Sequence, residues 1–432
     1  MSGPKPSPPV ILCVDDEQFV LNALNSQLQR RFGGAYEYEF AESAEEATEL
    51  IQELCEQGHE IVMVISDQIM PGMTGDEFLI DVHEKHPKPI KILLTGQAAI
   101  ESAMKAINNA NLYRYLTKPW DEKDFLLTVE KGIREYELME EVRKQIEVFQ
   151  RFVPKDFLEH LGKASILDIE LGDQVHKEMT VLFSDIRAFT TLSEKMSPKD
   201  NFNFLNSYLR HIGPIIPKNH GFIDNFIGDA IMALFPHRVD DALQAAIEMH
   251  RGVLSFNQRR RGYGLEEIAI GIGLHAGNLM LGTIGNEQRM QGTVISDAVN
   301  LASRLEGLTK HWGTNIAVSE ETVTKLEHPE QFEVRLMGRV KVKGKQKSVS
   351  VYEVLDVELH VSAALKVATR EDFEKGLIQY YQKDFTGASV LFNKVLKENP
   401  GDKVARIYLE RSAKFMVDEV PNDWTGIVFK SD

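Results

Sequence analysis

Apolar and polar positions follow two alternating periods over the first third of the chain. Short strand-like runs occupy residues 10–14, 37–41, 61–65, 90–94 and 113–116, and the first of them is typical of a buried strand. Between these runs the apolar positions recur every three or four residues, which predicts helices over residues 18–31, 44–56, 77–86 and 100–108, and one more beginning at Asp121. Strict alternation of strand and helix predicts an α/β fold with a doubly wound parallel sheet.

Polar side chains stand at the carboxyl ends of these predicted strands, which is the edge where such sheets bind ligands. They are Asp15 and Asp16, Asp67, Thr95 and Lys118. Any one of them could be an ordinary cap. Three carboxylates, a hydroxyl and an ammonium group at successive strand ends indicate one shared site.

This arrangement resembles the receiver domain of response regulators over residues 10–136. The resemblance implies that Asp67 is the phosphoacceptor, a carboxylate nucleophile that forms an acyl phosphate with a sensor histidine kinase as donor. It also implies roles for the surrounding residues: Mg²⁺ held by Asp15, Asp16 and Asp67, phosphate contacts from Lys118 and Thr95, and a mobile aromatic at Tyr115.

The helical pattern continues past the end of a receiver. Its apolar positions alternate at spacings of three and four, as in the a/d seam of a coiled coil: Met139, Val142, Ile146, Phe149 and Val153. A helix packed on its own receiver would have the same pattern. We expect a parallel dimer stalk that couples two domains.

A second group of carboxylates follows the stalk. The apolar run 181–183 delivers Asp185 into a turn, and the strand-like runs 222–227 and 230–235 are joined by Gly228 and Asp229, a strong hairpin signal. Two acidic groups at neighbouring strand ends suit hard cations, and such a pair could hold two metal ions for displacement at phosphorus. Alone, either residue could simply start a helix or make a turn.

Two further features of this region suit a nucleotide. Asn300 and Arg304 share one face of a predicted helix, and an amide beside a guanidinium suits a ribose and a polyphosphate. They could also be an exposed surface pair. Lys343 and Lys345 flank Gly344 in a basic loop that could close over a triphosphate or could be a charged hairpin tip.

Residues 175–356 resemble the ferredoxin-like catalytic domain of class III nucleotidyl cyclases, through MTVLFSDIRAFT, FIDNFIGDAIMALF and VISDAVNLASRLE. The family converts ATP or GTP to the 3′,5′-cyclic monophosphate and pyrophosphate. The resemblance implies two Mg²⁺ or Mn²⁺ ions on Asp185, Asp229 and the Ile186 backbone. In the family the site lies across a homodimer, with the metal aspartates from one protomer and the asparagine and arginine from the other.

The resemblance also assigns the substrate contacts. Arg304 would stabilise charge on the α-phosphate, Asn300 would orient the ribose, and Lys343 would hold the terminal phosphates. Asn225 stands where adenylyl cyclases usually carry a base-reading lysine, with Thr293 as its partner. Both side chains can donate or accept hydrogen bonds, so adenine and guanine both remain open, with ATP favoured.

Three other positions depart from the family pattern: Ala188, where glycine is common, Gly292 and Ser296. Beyond residue 356 the chain turns helical again and resembles one tetratricopeptide-like pair with a following helix. Because a single such unit cannot bury its apolar face alone, we expect it to dock on the cyclase domain or on the partner protomer.

Composition and charge narrow the function classes. The net charge of -16 argues against a nucleic-acid-binding surface, and no apolar run reaches the roughly 20 residues of a membrane span. Two cysteines, Cys13 and Cys55, fit a reducing cytoplasm. We expect a disordered lead (1–9), a receiver (10–136), a dimerisation and coupling linker (137–174), a cyclase domain (175–356) and a helical segment (357–432).

Together these features predict a cytoplasmic, phosphorylation-regulated homodimer that makes cyclic AMP from ATP in a two-component pathway. A guanylyl cyclase with the same machinery is the first alternative. A non-catalytic cyclase-like module for dimerisation or nucleotide sensing is the second.

Overall fold

The computed structural model describes residues 7–96, 110–149, 153–341, 348–357, 360–418, 420, 424–427 and 429–430. The chain divides into two compact units, Met1–Phe149 and Gln150–Asp432. Among the described residues, no helix combines the length and the apolar character that crossing a membrane requires.

The first unit contains the predicted parallel sheet. Its strands are β1 (Val10–Val14), β2 (Glu37–Ala41), β3 (Ile61–Asp67), β4 (Ile90–Thr95) and β5 (Arg114–Thr117). They hydrogen-bond in the order β2-β1-β3-β4-β5. Every residue of β1, β3 and β4 is buried, since apolar clusters cover both faces of the sheet. The α/β prediction is confirmed for this unit.

Four helices flank this sheet in the described residues: α1 (Gln18–Phe32), α2 (Ala44–Glu56), α3 (Gly75–Lys85) and α4 (Glu122–Phe149). Helix α3 begins two residues before the predicted start, because Thr74 and Glu77 form a capping box there. The helix predicted over residues 100–108 lies outside the described residues.

Helix α4 carries the predicted seam beyond the receiver sheet. Met139 and Val142 are each 53% exposed and Phe149 is 57% exposed, while Ile146 is half-buried. Val153, the last of the five predicted seam positions, is not part of this exposed surface. It packs against an apolar cluster of the second unit. The described seam therefore ends at Phe149 and is largely open to solvent in the protomer.

The second unit is built on a mixed sheet. Its strands are β6 (Gln174–Ile186), β7 (Phe222–Ile227), β8 (Ala230–Phe235), β9 (Ile270–Asn286), β10 (Arg289–Ile295), β11 (Ile316–Ser319), β12 (Val334–Lys341), β13 (Ser348–Val354) and β14 (Phe429–Lys430). Their order is β14-β12-β13-β11-β9-β6-β8-β7, with β10 paired to β9. The predicted β7–β8 hairpin is present.

The helices of this part of the chain are α5 (Lys155–Leu161), α6 (Phe189–Ser193), α7 (Pro198–Ile212), α8 (Ile215–Lys218), α9 (Val239–Gly262), α10 (Asp297–Trp312) and α11 (Glu320–Thr324). Helices α7 and α9 share one apolar cluster with the sheet. Helix α10 contributes to other clusters and packs closely on β9.

Four C-terminal helices join this unit: α12 (His360–Ala368), α13 (Arg370–Tyr381), α14 (Phe385–Glu398) and α15 (Lys403–Val417). Apolar residues of α13–α15 form one cluster with residues of α10, β12 and β13. Arg335 of β12 is fully buried and pairs with Glu353 of β13 and with Asp402, the N-cap of α15. The helical segment therefore docks on its own protomer's second unit.

Candidate active site and phosphoacceptor site

Two carboxyl groups meet at the end of β6. Asp185 is the penultimate residue of that strand, and Gly228, with a positive φ of 66°, turns the β7–β8 hairpin so that Asp229 reaches it. The backbone N–H of Ile186 donates to Asp229 Oδ2 over 3.2 Å, and the two carboxyl groups hydrogen-bond to each other. The structure thus brings together the three groups of the second unit that the sequence predicts to hold metal.

Burial and the neighbouring Asp185 together raise the pKa of Asp229 to about 7. Two carboxylates held side by side repel each other, so one keeps its proton unless a cation replaces it. A divalent cation with oxygen ligands fits this donor set.

Asn300 and Arg304 lie on α10, whose N-cap is Ser296. The Ser296 hydroxyl accepts from the Ala298 N–H at 2.9 Å and donates to the Asn278 carbonyl at 2.6 Å. Asn300 is exposed and Arg304 is half-buried. At 100° per residue, both point away from the helix face that packs on β9.

The remaining predicted substrate contacts are dispersed. Asn225 is exposed on β7, beside a register irregularity in the β7–β8 pairing. Thr293 is half-buried on β10, opposite Gly282 of β9. Lys343 lies outside the described residues, as does Lys345.

A second cluster of acids lies in the first unit. One ligand oxygen from each of Asp15, Asp16 and Asp67 falls within 4.8 Å of the others. Lys118 Nζ is 2.6 Å from Asp15 Oδ2 and 2.6 Å from Asp67 Oδ1. Three carboxylates with a single ammonium group leave excess negative charge, which fits a divalent cation.

Local electrostatics follow from this crowding. Burial raises the pKa of Asp15, although its hydrogen bond from Lys118 acts in the opposite direction. Burial alone would lower the pKa of Lys118, but the hydrogen bonds to Asp15 and Asp67 outweigh it and raise the pKa. The ammonium group therefore stays charged beside the two carboxylates.

The other predicted receiver residues surround this cluster. Thr95 is fully buried and its hydroxyl donates to the Gly96 carbonyl over 3.2 Å, while Tyr115 is partly exposed on β5. Gly75, which sequence reasoning did not single out, starts α3 against Asp67: a Cβ there would lie 1.8 Å from the Asp67 carbonyl oxygen.

Comparison with known proteins follows the same division. Residues 11–130 match the response regulator receiver domain, and residues 171–355 match the adenylate and guanylate cyclase catalytic domain. The chain joins a receiver domain to a cyclase catalytic domain.

Two curated relatives are named adenylate cyclases. An adenylate cyclase of Anabaena cylindrica is 47% identical over 219 residues, which cover 49% of this chain and 44% of that protein. A terminal-differentiation-specific adenylate cyclase of Dictyostelium discoideum is 37% identical over 270 residues, covering 61% of this chain and 13% of that protein. The chain spans less than half the length of either relative.

A solved structure, the adenylyl cyclase CyaB from P. aeruginosa, is 32% identical. It aligns with a TM-score of 0.38, covering 42% of this chain and 95% of that chain.

Two of the three departures of the cyclase domain from the family pattern, Gly292 and Ser296, have local physical reasons. A Cβ at Gly292 would lie 2.9 Å from the Phe157 ring, so α5 packs on β10 only because no side chain intervenes. Ser296 caps α10 as described above. Ala188 adopts a left-handed conformation, with φ 53°, which glycine would adopt without the cost of a Cβ.

Sequence reasoning missed two charged residues of the cyclase domain that lie beside the aspartate pair. Burial, and next the Asp185 charge, raise the pKa of Glu306 to about 7, while Arg187 opposes this rise. Arg187 follows the last residue of β6, and its guanidinium donates a hydrogen bond to Thr309 of α10. The alternate glycines Gly271 and Gly273 were the available signal, because they mark where a helix approaches β9 closely.

Proposed function

We propose that the chain is a receiver-regulated nucleotidyl cyclase that converts ATP to 3′,5′-cyclic AMP and pyrophosphate. The observation that carries the proposal is the meeting of Asp185, Asp229 and the Ile186 backbone at one sheet end. The adenylate cyclase names of the relatives at 47% and 37% identity support ATP as the substrate.

The proposed mechanism assigns each role to the chain's own residues. Asp185, Asp229 and the Ile186 backbone would hold two Mg²⁺ or Mn²⁺ ions. When bound, such ions lower the pKa of a ribose 3′-hydroxyl and neutralise phosphate charge. Asn300 would orient the ribose, and Arg304 would donate to oxygens of the α-phosphate as their charge increases. Lys343 would hold the terminal phosphates.

We propose a homodimer as the active form. Within one protomer, Asn300 and Arg304 point away from the β9 face of α10, so a second protomer could receive them. The exposed seam of α4 supports the same conclusion, since Met139, Val142 and Phe149 would be covered by the same residues of a partner stalk.

The decisive experiment separates nucleotide products. We expect purified protein with Mn²⁺ to release cyclic AMP from ATP, and Asp185→Asn or Arg304→Ala to abolish release. Cyclic GMP from GTP alone would make the chain a guanylyl cyclase, an alternative that Asn225 leaves open. Tight nucleotide binding with neither product would indicate a nucleotide sensor.

For the receiver, we propose that Asp67 accepts a phosphoryl group from a sensor histidine kinase and that Mg²⁺ is held by Asp15, Asp16 and Asp67. The contact of Lys118 with Asp67 supports a phosphate at that position. Thr95 and Tyr115 would respond to it.

A small-molecule phosphodonor should raise the intact mass by one phosphoryl group in wild type but not in Asp67→Asn. Cyclase activity measured in both states then reports whether phosphorylation regulates the site.

A further inference from the structure

Arg187 connects the end of β6, the strand that carries Asp185 and Ile186, to α10, the helix that carries Asn300 and Arg304. It follows Ile186 directly, and its Nη2 donates to Thr309 Oγ1 at 2.6 Å and to the Thr314 carbonyl at 3.0 Å. Thr309 lies in the last turn of α10 and is fully buried, as is nearly all of Thr314. One guanidinium therefore fixes the end of α10 to the residue next to the metal site.

The sheet makes room for this bridge at the position opposite the metal ligand. Gly271 of β9 is the register partner of Asp185. A Cβ at Gly271 would lie 2.4 Å from Glu306 Oε1, 2.5 Å from Thr309 Oγ1 and 2.9 Å from Arg187 Cζ. The bridge thus rests directly on the backbone that pairs with Asp185.

Helix α10 has little freedom to move independently of this contact. A Cβ at Gly273 would lie 2.2 Å from the Glu306 amide nitrogen, so the helix backbone lies directly against β9. The Thr309 hydroxyl also donates to the Glu306 carbonyl, which orients it to accept from Arg187. A shift of β6 would therefore displace α10.

We infer that Arg187 is a positioning residue that couples the two active sites of the dimer. The inference rests on the proposed function, in which each protomer supplies metal aspartates to one site and Asn300 and Arg304 to the other. Within one protomer, Arg187 connects the metal aspartates, which serve one active site, to α10, whose Asn300 and Arg304 serve the other active site.

A heterodimer with one functional site tests this coupling. Protomer one carries Arg304→Ala and protomer two carries Asp185→Asn, with different affinity tags for sequential purification. Only the site with the aspartates of protomer one and the Arg304 of protomer two is complete. Arg187→Met is then added to one protomer at a time.

We expect Arg187→Met in protomer two to lower kcat at least tenfold, which corresponds to about 1.4 kcal/mol. In that protomer the adjacent aspartate pair is already disabled, so only α10 can carry the effect. KM for Mn²⁺ should stay unchanged there, and it should rise when Arg187→Met is placed in protomer one. Thr309→Val in protomer two, which removes only the accepting hydroxyl, should lower kcat in the same direction.

Arg187→Lys provides the conservative comparison, because it keeps a charged donor on a shorter side chain, and it should restore part of kcat. Wild-type kcat with both Arg187→Met and Thr309→Val in protomer two would overturn the inference while leaving the two-chain site intact. An inactive parent heterodimer would instead overturn the two-chain site, and this inference with it.

Discussion

At the scale of single residues, we expect the proton on Asp229 to control metal binding at the proposed site. Because the pKa of Asp229 is about 7, its acid form prevails below that pH, and a metal ion must displace the proton. We expect the affinity for Mn²⁺ to fall about tenfold for each pH unit below 7 and to level off above it.

Thermal unfolding at pH 6 and pH 8, with and without Mn²⁺, measures this effect. The rise in melting temperature on adding Mn²⁺ should be larger at pH 8. In Asp229→Asn the difference between the two pH values should shrink, since the titrating group is gone. An equal rise at both pH values in wild type would contradict the prediction.

Lys91 in the receiver is a buried cation that pairs with no carboxylate among the residues that the structure describes. It is 1% exposed, and its Nζ donates only to the carbonyls of Pro87 and Pro89 among its described hydrogen bonds. Burial lowers the pKa of Lys91 to about 8, below its usual 10.5. Because the folded state holds the proton less tightly, Lys91 reduces stability below pH 8, and this cost vanishes as the pH rises past 10.5.

We therefore expect Lys91→Met to stabilise the receiver by about 1–3 kcal/mol at pH 7 and by progressively less towards pH 10. Urea unfolding across that pH range measures the difference. Lys85→Met, which removes an exposed lysine paired with Asp81, serves as the control and should change stability little. A Lys91→Met gain that does not vary with pH would contradict the argument.

Asn225 decides base selectivity, in our interpretation. Asn225→Lys restores a charged contact worth about 1.5–3 kcal/mol, so we expect ATP turnover to rise about ten- to a hundredfold over wild type. Turnover of ATP and GTP by both proteins, with product separation, gives the ratio. No change with either nucleotide would show that position 225 does not contact the base.

At the scale of elements, the helical segment and the cyclase sheet are joined by a buried ion cluster. Arg335 pairs with Glu353 and Asp402, its guanidinium lies 4.5 Å from the Phe373 ring centroid, and Lys366 Nζ is 2.7 Å from Glu353 Oε2. Removing one partner leaves buried charge uncompensated, which costs far more than losing a surface pair.

We expect Arg335→Met to destabilise the second unit by about 3–5 kcal/mol. Lys218→Met, which removes an exposed pair with Glu248, should cost less than about 1 kcal/mol. Denaturant unfolding of the full chain measures both. Equal effects would show that burial does not strengthen the Arg335 cluster.

The sequence predicted helices and strands correctly where a short apolar run or one apolar helix face was enough to identify the element. The central receiver strands β1, β3 and β4 follow apolar runs because both of their faces are covered. The β7–β8 hairpin followed from Gly228 and Asp229. The convergence of Arg187, Glu306 and Thr309 could not be read in this way. It depends on which residue of β9 lies opposite Asp185, and that register is set by pairing between distant segments.

Docking of the C-terminal helices was only half predicted for a related reason. Their apolar faces indicated that they need a partner surface, but not which one. The choice of β12 and β13 depends on Arg335, which appears in sequence as one more charged residue of a strand and is buried only in the assembled unit.

At the scale of the whole molecule, the seam of α4 should control assembly. A glutamate at a seam position places charge inside the dimer stalk, so we expect Val142→Glu to raise the dimer dissociation constant at least tenfold and lower cyclase activity in parallel. Sedimentation with activity measured over a concentration series tests this. Leu127→Glu, on the same helix but off the seam and 47% exposed, should leave both unchanged.

If activity falls in Val142→Glu while the dimer fraction stays constant, the seam acts by transmitting a signal rather than by assembly. If neither changes, α4 is not the dimer contact. These outcomes separate the stalk from the catalytic sites, because Val142 lies in the first unit and Asp185 in the second.

The close fit of α10 against Gly271 and Gly273 also limits how the cyclase module can be exchanged between proteins. A chimera that takes β9 from a relative with bulkier residues at these positions could not seat the helix, whatever its identity elsewhere. Strands β6 and β9 and helix α10 must therefore be exchanged together. Chimeras joined before residue 174 or after residue 312 should be active more often than chimeras joined between these residues.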